Sequence, residues 1–464
     1  METVMNAANA TVAAVSTPWG RGGIAVIRVS GPDAIEIAEQ VFSAGCGTAL
    51  SLLEPNRMVW GRIYYKREQI DDGMAVVFRA PHAYTGEDTV EISCHGGIFL
   101  TQKVLEAVLL AGALPAGPGE FTKRAFLNGK LGLSQAEAII GLIDARSMEG
   151  VRLAGAGARG ALGRAAEEIY LLLRDAVSST YAFIDFPDED LTDLTPRQLL
   201  DTVELAREKL SALERSYTVG KAVGEGIRCA IVGKPNTGKS SLLNCLMGED
   251  RAIVTDIAGT TRDVLEETVS IGRVLLRLCD TAGIHGTDDV VERIGVERSL
   301  RALGEAELVL AVFDGARTLE DEDFALAVHL ASVGCPVIAV VNKADLGEEA
   351  DVLRLDVPFA RVISVSAARG DGVDALREAI EALFLTGEID YSTDAVVANA
   401  RQYAAVCAAM ESVDRAADAL RSGYTQDIAG MDLELAMSAL GEVDGRTVTG
   451  DVVDTIFHHF CVGK

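Results

Sequence analysis

The segment Gly233-Lys234-Pro235-Asn236-Thr237-Gly238-Lys239-Ser240 constrains this chain more than any other. It follows the apolar run Ile227–Val232 and precedes a helical pattern over Ser241–Met247, so it joins a buried strand to a helix. Glycines bracketing such a loop let successive backbone N–H groups turn inward, and the helix N-terminus adds the positive end of its dipole. That arrangement takes a polyphosphate. Lys239 is placed to reach the β- and γ-phosphates, and the Ser240 hydroxyl to ligate magnesium. Strands and helices then alternate to about Phe384, which predicts a doubly wound, mainly parallel sheet.

Three downstream segments refine the expected ligand. The polar loop Thr255-Asp256-Ile257-Ala258-Gly259-Thr260-Thr261 suits a switch closing on magnesium and the γ-phosphate, with Thr261 the expected second protein ligand of the metal. The strand Val274–Cys279 ends in Asp280-Thr281-Ala282-Gly283, where a carboxylate can orient the metal's water shell and a glycine N–H can meet the γ-phosphate. Asn342-Lys343-Ala344-Asp345 follows the strand Val337–Val341, and Ser366-Ala367-Ala368 follows Arg361–Val365. The Asp345 carboxylate can accept from guanine N1–H and N2–H₂, which adenine does not offer, and the Ser366–Ala368 backbone can donate to guanine O6. The expected nucleotide-binding set is therefore Asn236, Thr237, Gly238, Lys239, Ser240 and Ser241 with these segments, and Lys239 also counts as catalytic. Ile284 stands where Ras-like GTPases place a water-orienting Gln, so hydrolysis needs another group. Asn236 is compatible with two roles: holding a potassium ion beside the phosphates, or simply forming a Pro-Asn turn.

The 464 residues point to about two to four domains. The first, 1–122, mixes strand-like runs (Gly23–Val29, Gly73–Phe78, Asp88–Cys94) with an amphipathic helix at Leu100–Leu110, and is expected to be α+β. Helical patterning fills 123–222, interrupted by the acidic stretch Ile184–Asp190, and Gly220, Gly224 and Gly226 read as a linker. The α/β domain spans 223–385, and helices return over 386–464, at Asn399–Leu420 and Leu433–Gly441. The economical reading is an all-helical domain split in sequence by the α/β insertion. Eight scattered cysteines without CxxC pairs read as thiols in a reducing compartment. The absence of a basic leader and of a bilayer-length apolar run predicts a cytoplasmic protein. A net charge of -27 argues against nonspecific polyanion binding by the whole surface.

These motifs resemble those of the MnmE (TrmE) family of tRNA modification GTPases. The similarity extends over nearly the whole chain: Pro18–Gly23, Tyr84–Asp88, His95–Gly97, Pro118–Phe121, Arg124–Lys130, Leu133–Ala138, Ile184–Asp188, Val291–Gly295 and the closing Phe460-Cys461-Val462-Gly463-Lys464. In that tail Val462 replaces the family's usual Ile or Leu.

The resemblance implies a tetrahydrofolate-binding N-terminal domain, a discontinuous helical domain and an inserted G domain. It assigns Arg28, Glu91, Lys130 and Lys464 to a folate one-carbon donor, a 5-formyl- or 5,10-methylene-tetrahydrofolate. Read without it, these are ordinary strand and helix-end charges. It gives potassium to Asn236, Thr255, Ile257 and Thr260, water activation to Glu292, and suspects Cys461 of a chemical or positioning role. His285 stands where some relatives carry arginine. It implies a homodimer that joins a flavin-dependent MnmG (GidA)-like protein in a heterotetramer. Together these add an aminomethyl or carboxymethylaminomethyl group at C5 of the wobble uridine of certain tRNAs. The alternative expectation is a GTP-dependent regulatory or assembly switch of the ribosome-biogenesis type.

Overall fold

The computed structural model describes residues 10–185, 195–249, 267–279, 303–385, 389–391, 393–423 and 426–464. Its contacts divide the chain into two compact units, Met1–Ile140 with Asp444–Lys464, and Gly141–Val443. The cut falls at other places than the four sequence segments. Residues 123–140 and 444–464, read with the helices, group with the N-terminal unit.

In that unit β1 (Val12–Val15), β2 (Ile24–Ser30), β3 (Phe42–Ala44), β4 (Val59–Tyr65), β5 (Glu68–Phe78), β6 (Thr89–His95) and β7 (Leu114–Pro115) form one sheet in the order β3-β4-β5-β6-β2-β1-β7. Period-two alternation decides its faces. Ala25, Ile27 and Val29 of β2 and Val90, Ile92 and Cys94 of β6 point into one core. That core is covered by α1 (Ala34–Val41) and α2 (Ile98–Leu110), whose Ile37, Ala38, Val104 and Val108 belong to it. The opposite face carries Arg28 and Glu91, paired in register, and is partly covered by Phe121 against Val12, Ala14 and Ala116. Phe121 belongs to α3 (Glu120–Leu127), which precedes α4 (Leu133–Ile143).

The chain's last segment is built into this unit. The helix Gly450–His458 buries Val453 and Phe457 with Leu133, Ala136 and Phe460. Beyond it the backbone pairs with 118–121: Val462 bridges Pro118, Gly119 N donates to Cys461 O at 3.3 Å, and Phe121 N to Lys464 O at 3.0 Å. Gly463 has φ +100°, and a Cβ there would lie 2.1 Å from Val15 O. Only glycine fits that approach.

The second unit begins with α5 (Met148–Ala158), α6 (Ala161–Asp185) and α7 (Pro196–Gly224). With α11 (Ala400–Arg421) and α12 (Gln426–Asp444), α6 and α7 enclose an aliphatic core that includes Leu173, Leu210, Val406, Ala409 and Leu433, while α5 places Leu153 in a smaller cluster with Val219 and Val223. The helical segments on either side of the α/β insertion do share one core. Gly220 and Gly224, read as linker, lie inside the 29-residue helix α7. Gly220 is there for close packing, since a Cβ would meet Val397 O at 2.1 Å, and tertiary contact outweighs its poor helix propensity.

Helix α7 passes through Gly226 (φ +90°) directly into β8 (Ile227–Val232). Then come α8 (Lys239–Glu249), β9 (Glu267–Ile271), β10 (Val274–Leu278), β11 (Leu308–Asp314), α9 (Asp321–Leu330), β12 (Val337–Asn342), β13 (Arg361–Ser364) and α10 (Val373–Phe384). The sheet order is β13-β12-β11-β8-β10-β9, parallel throughout except for the β9–β10 hairpin. Its central strands are buried on both faces, with Leu308, Leu310 and Val312 in one core and Val309, Ala311 and Phe313 in the other. That explains their unbroken apolar runs.

Candidate functional site

The phosphate loop leaves β8 through Gly233 at φ +155°, where a Cβ would meet Val312 O at 2.3 Å. Asn236 (φ +64°) is exposed in the left-handed conformation that Asn tolerates at a turn. Gly238 (φ +92°) passes so close to Asn342 that a Cβ would sit 2.1 Å from its Nδ2. Lys239 Nζ curls back to donate to Gly233 O and Lys234 O, both at 2.7 Å, and Thr237 Oγ1 donates to Lys234 O at 3.0 Å. Burial pulls the Lys239 pKa below the ordinary lysine range. Its ammonium rests on weak neutral acceptors, from which an arriving phosphate anion would draw it. Ser240 sits in the first turn of α8 with its surface exposed.

The base-reading segments reach the same loop. Buried Asn342 donates from Nδ2 to Thr237 O at 2.9 Å, and its Oδ1 accepts from Ala367 N at 3.0 Å. One side chain thus ties the phosphate loop to Ser366–Ala368. Lys343, at φ +62°, donates to Asn236 O and pairs with Asp314, each at 2.7 Å. Asp345 accepts from Ser366 Oγ at 2.7 Å and lies 3.5 Å from Arg369. The Ser366 hydrogen bond, more than Arg369, holds the Asp345 carboxyl below the usual range. An ionised acceptor is what guanine's two donors require.

In the N-terminal unit, Arg28 pairs with Glu91 at 2.8 Å from both Nε and Nη2. Its guanidinium lies 5.3 Å from the Phe121 ring centre and 5.8 Å from that of Tyr84. Tyr84 hydroxyl meets Thr122 Oγ1 at 3.0 Å, and burial raises the phenol's pKa. Lys130 Nζ donates to Pro81 O at 2.8 Å. Buried Arg124 bridges Glu87 (3.0 Å) and Glu120 (2.9 Å), while Ser30 and Thr85 complete the support of the Tyr84–Asp88 turn. Cys461 is exposed, and Lys464 is tied through its carbonyl to Phe121.

Two family models match the chain one after the other. "GTP-binding protein TrmE N-terminus" covers residues 11–130, and "MnmE helical domain" covers 133–461. The chain belongs to the MnmE family. Proteins titled "tRNA modification GTPase MnmE" are 43% identical over 457 residues in Listeria innocua, 42% over 457 in Geobacter sulfurreducens and 40% over 458 in Thermoanaerobacter pseudethanolicus. Each alignment covers 98% of this chain and 99% of the relative.

Of the residues expected from the motifs and the MnmE resemblance, Asn236–Ser241, Asn342–Asp345 and Ser366–Ala368 converge in the second unit. Arg28 and Glu91 touch, while Lys130 and Lys464 lie in the same unit with other partners. Thr255–Thr261, Asp280–Gly283, His285 and Glu292 fall outside the described residues. Reading the MnmE-like motifs missed Tyr84 and Phe121 as the flanks of Arg28, and it missed Lys234. An aromatic beside a half-buried arginine leaves no sequence signal when the two are 56 to 93 positions apart, and the carboxylates that hold Lys234 are as distant in sequence.

Proposed function

We propose that this chain is a GTP hydrolase taking part in the modification of the wobble uridine of certain tRNAs. The carrying observation is the Asn342 amide, which bonds the phosphate loop on one side and the Ala367 N–H on the other, beside an ionised Asp345. Guanine readout and phosphate binding thereby form one hydrogen-bonded unit. The tRNA half of the reading is supported by the titles and full-length similarity of the relatives.

Magnesium would be held by Ser240 and Thr261, and potassium by Asn236, Thr255, Ile257 and Thr260. The donor chemistry fits, since Ser240 stands exposed at a helix start and Asn236 at the crest of the loop. Such cations supply positive charge against the phosphoryl oxygens, and Glu292 would activate the hydrolytic water in place of the missing Gln. Arg28, Glu91, Lys130 and Lys464 would bind the tetrahydrofolate donor: three cations, a carboxylate acceptor and the exposed Tyr84 ring suit a heteroaromatic acid. Cys461 takes a chemical or positioning role in the tail beside them. The homodimer works in the cytoplasm with an MnmG (GidA)-like flavoprotein, adding the aminomethyl or carboxymethylaminomethyl group to the uridine.

Two measurements test this reading. GTP turnover by the full chain should collapse when K⁺ is replaced by Na⁺; equal rates would remove potassium from the mechanism. Cells lacking the protein should carry wobble uridines without the C5 aminomethyl-type group, and unaltered tRNA there would remove the tRNA assignment.

A further inference from the structure

Lys234 follows the first glycine of the phosphate loop, yet its side chain turns away from where phosphate would bind. It is buried, with 7% of the side chain exposed, and its ammonium ends between Glu320 (2.6 Å) and Asp323 (2.8 Å), with Glu322 at 4.0 Å. Those carboxylates open helix α9. Glu320 is its N-cap and forms a capping box with Asp323, whose Oδ2 accepts both Glu320 N (2.9 Å) and Lys234. Burial lowers the lysine's pKa, but hydrogen bonds to Asp323 and Glu320 more than offset this, so it remains a full cation.

The backbone of the same residue does different work. Lys234 O accepts from Lys239 Nζ and from Thr237 Oγ1. Its side chain therefore fixes the carbonyl on which the phosphate-binding lysine rests. The segment that holds Lys234 also holds the base-reading side: Asp314, nine residues before Asp323, pairs with Lys343, which donates to Asn236 O. Arg317 bridges the two ends at 3.6 Å from Asp314 and 3.9 Å from Glu320. The Asp314–Asp323 segment thus holds the loop directly at Lys234 and, through Lys343, at Asn236.

We infer that Lys234 is a positioning residue for nucleotide binding, tying the phosphate loop to the capping box of α9 so that the loop is shaped before nucleotide arrives. Loop order fixed in advance is not lost on binding, and it acts on affinity for GTP and GDP alike. The inference rests on Gly233–Ser240 being the phosphate loop, so Lys239→Ala serves as the control for that reading.

The test is fluorescent GDP and GTP titration of the full chain, with GTP turnover and thermal unfolding in parallel. Lys234→Met should raise both Kd values by about tenfold or more, corresponding to the loss of a buried charged tether, while kcat at saturating GTP falls by less than Kd rises. Lys234→Arg should recover most of the affinity. Asp323→Asn should weaken binding in the same direction and combine non-additively with Lys234→Met. If Lys234→Met fails to fold, Lys234→Arg and Asp323→Asn carry the test. An unchanged Kd in folded Lys234→Met or Asp323→Asn, or a kcat loss with Kd intact, overturns the inference. Lys239→Ala binding nucleotide as well as the parent would instead overturn the phosphate-loop reading beneath it.

Discussion

The nucleotide site and the Arg28–Glu91 site are assembled in opposite ways. In the first, Gly233–Ser240 is one unbroken segment, and its partners at 342–345 and 366–368 each follow directly on a parallel strand of the same sheet. In the second, Arg28, Tyr84, Glu91 and Phe121 come from four stretches of chain, joined by an antiparallel register and by the packing of Phe121 on the sheet. A doubly wound sheet delivers its strand ends to one edge, so local motifs suffice there. A site on a sheet face needs the whole unit to be folded first. Damage to the nucleotide site should therefore alter ligand choice with little loss of fold, whereas damage to the Arg28 site should alter ligand binding and fold together.

The largest effect that would break this contrast concerns Asp345. Asp345→Asn replaces an acceptor of two guanine protons by a group that meets one of them with its own N–H, and GTP affinity should fall by about a thousandfold or more. Xanthine nucleotide, which offers an oxygen at that position, should bind the variant better than GTP does. Competition of XTP against fluorescent GDP reads this directly, with the unfolding midpoint nearly unchanged. A variant that still prefers GTP would mean that Asp345 does not read the base.

Next in size is Arg28→Ala. It leaves Glu91 half-buried and uncompensated and removes the cation from between Tyr84 and Phe121. We expect a loss of about 1–3 kcal/mol of stability in the N-terminal unit along with binding of 5-formyl-tetrahydrofolate, while GTP affinity holds. Calorimetry with both ligands separates the outcomes. Folate binding retained in a destabilised variant would make the ion pair purely architectural.

The tail gives a smaller, backbone-level effect. Gly463→Ala places a Cβ 2.1 Å from Val15 O at φ +100°, a strain of about 1–3 kcal/mol that the last residues can shed by undocking. Folate affinity should then fall further than stability does, because undocking moves Lys464 and Cys461 without opening the Phe457 core. Proteolysis of the last residues, fast in the variant and slow in the parent, would report the undocking. Equal protection in both would show that the tail finds another path.

What the sequence made legible follows the same division. The strand–loop–helix around Gly233, the strands of the parallel sheet and the guanine-reading segments were readable because each is written in a local run of consecutive residues. The apolar run at Gly23–Val29 and the alternation at Asp88–Cys94 predicted the strands β2 and β6, but nothing in either said that they would be neighbours. Gly220 and Gly224 looked like punctuation because a glycine's local meaning is flexibility, whereas their role in α7 is set by what packs against them. The helix expected at Leu433–Gly441 runs further at both ends, as α12 over Gln426–Asp444. Lys234 was hidden by the motif around it, its carboxylate partners lying 86 and 89 positions away.

The smallest expected effect is a pH dependence that sharpens the nucleotide side. Asp345 must be ionised to accept from guanine, and its carboxyl is held below the usual aspartate range, chiefly by Ser366 Oγ. A depressed pKa in the folded state means the charged form is fully present above the unfolded value, about 3.9, and is lost only as pH falls through the lower, folded one. GTP affinity relative to ATP should therefore stay flat from pH 8 to about pH 5. Ser366→Ala removes the main cause of the depression, so its acid limb should begin at a higher pH than that of the parent, while the two proteins select guanine alike near neutrality. Should the parent lose selectivity between pH 7 and pH 5, the carboxylate would not be held as the Ser366 hydrogen bond requires, and guanine readout would rest on the Ala367 side of the pocket instead.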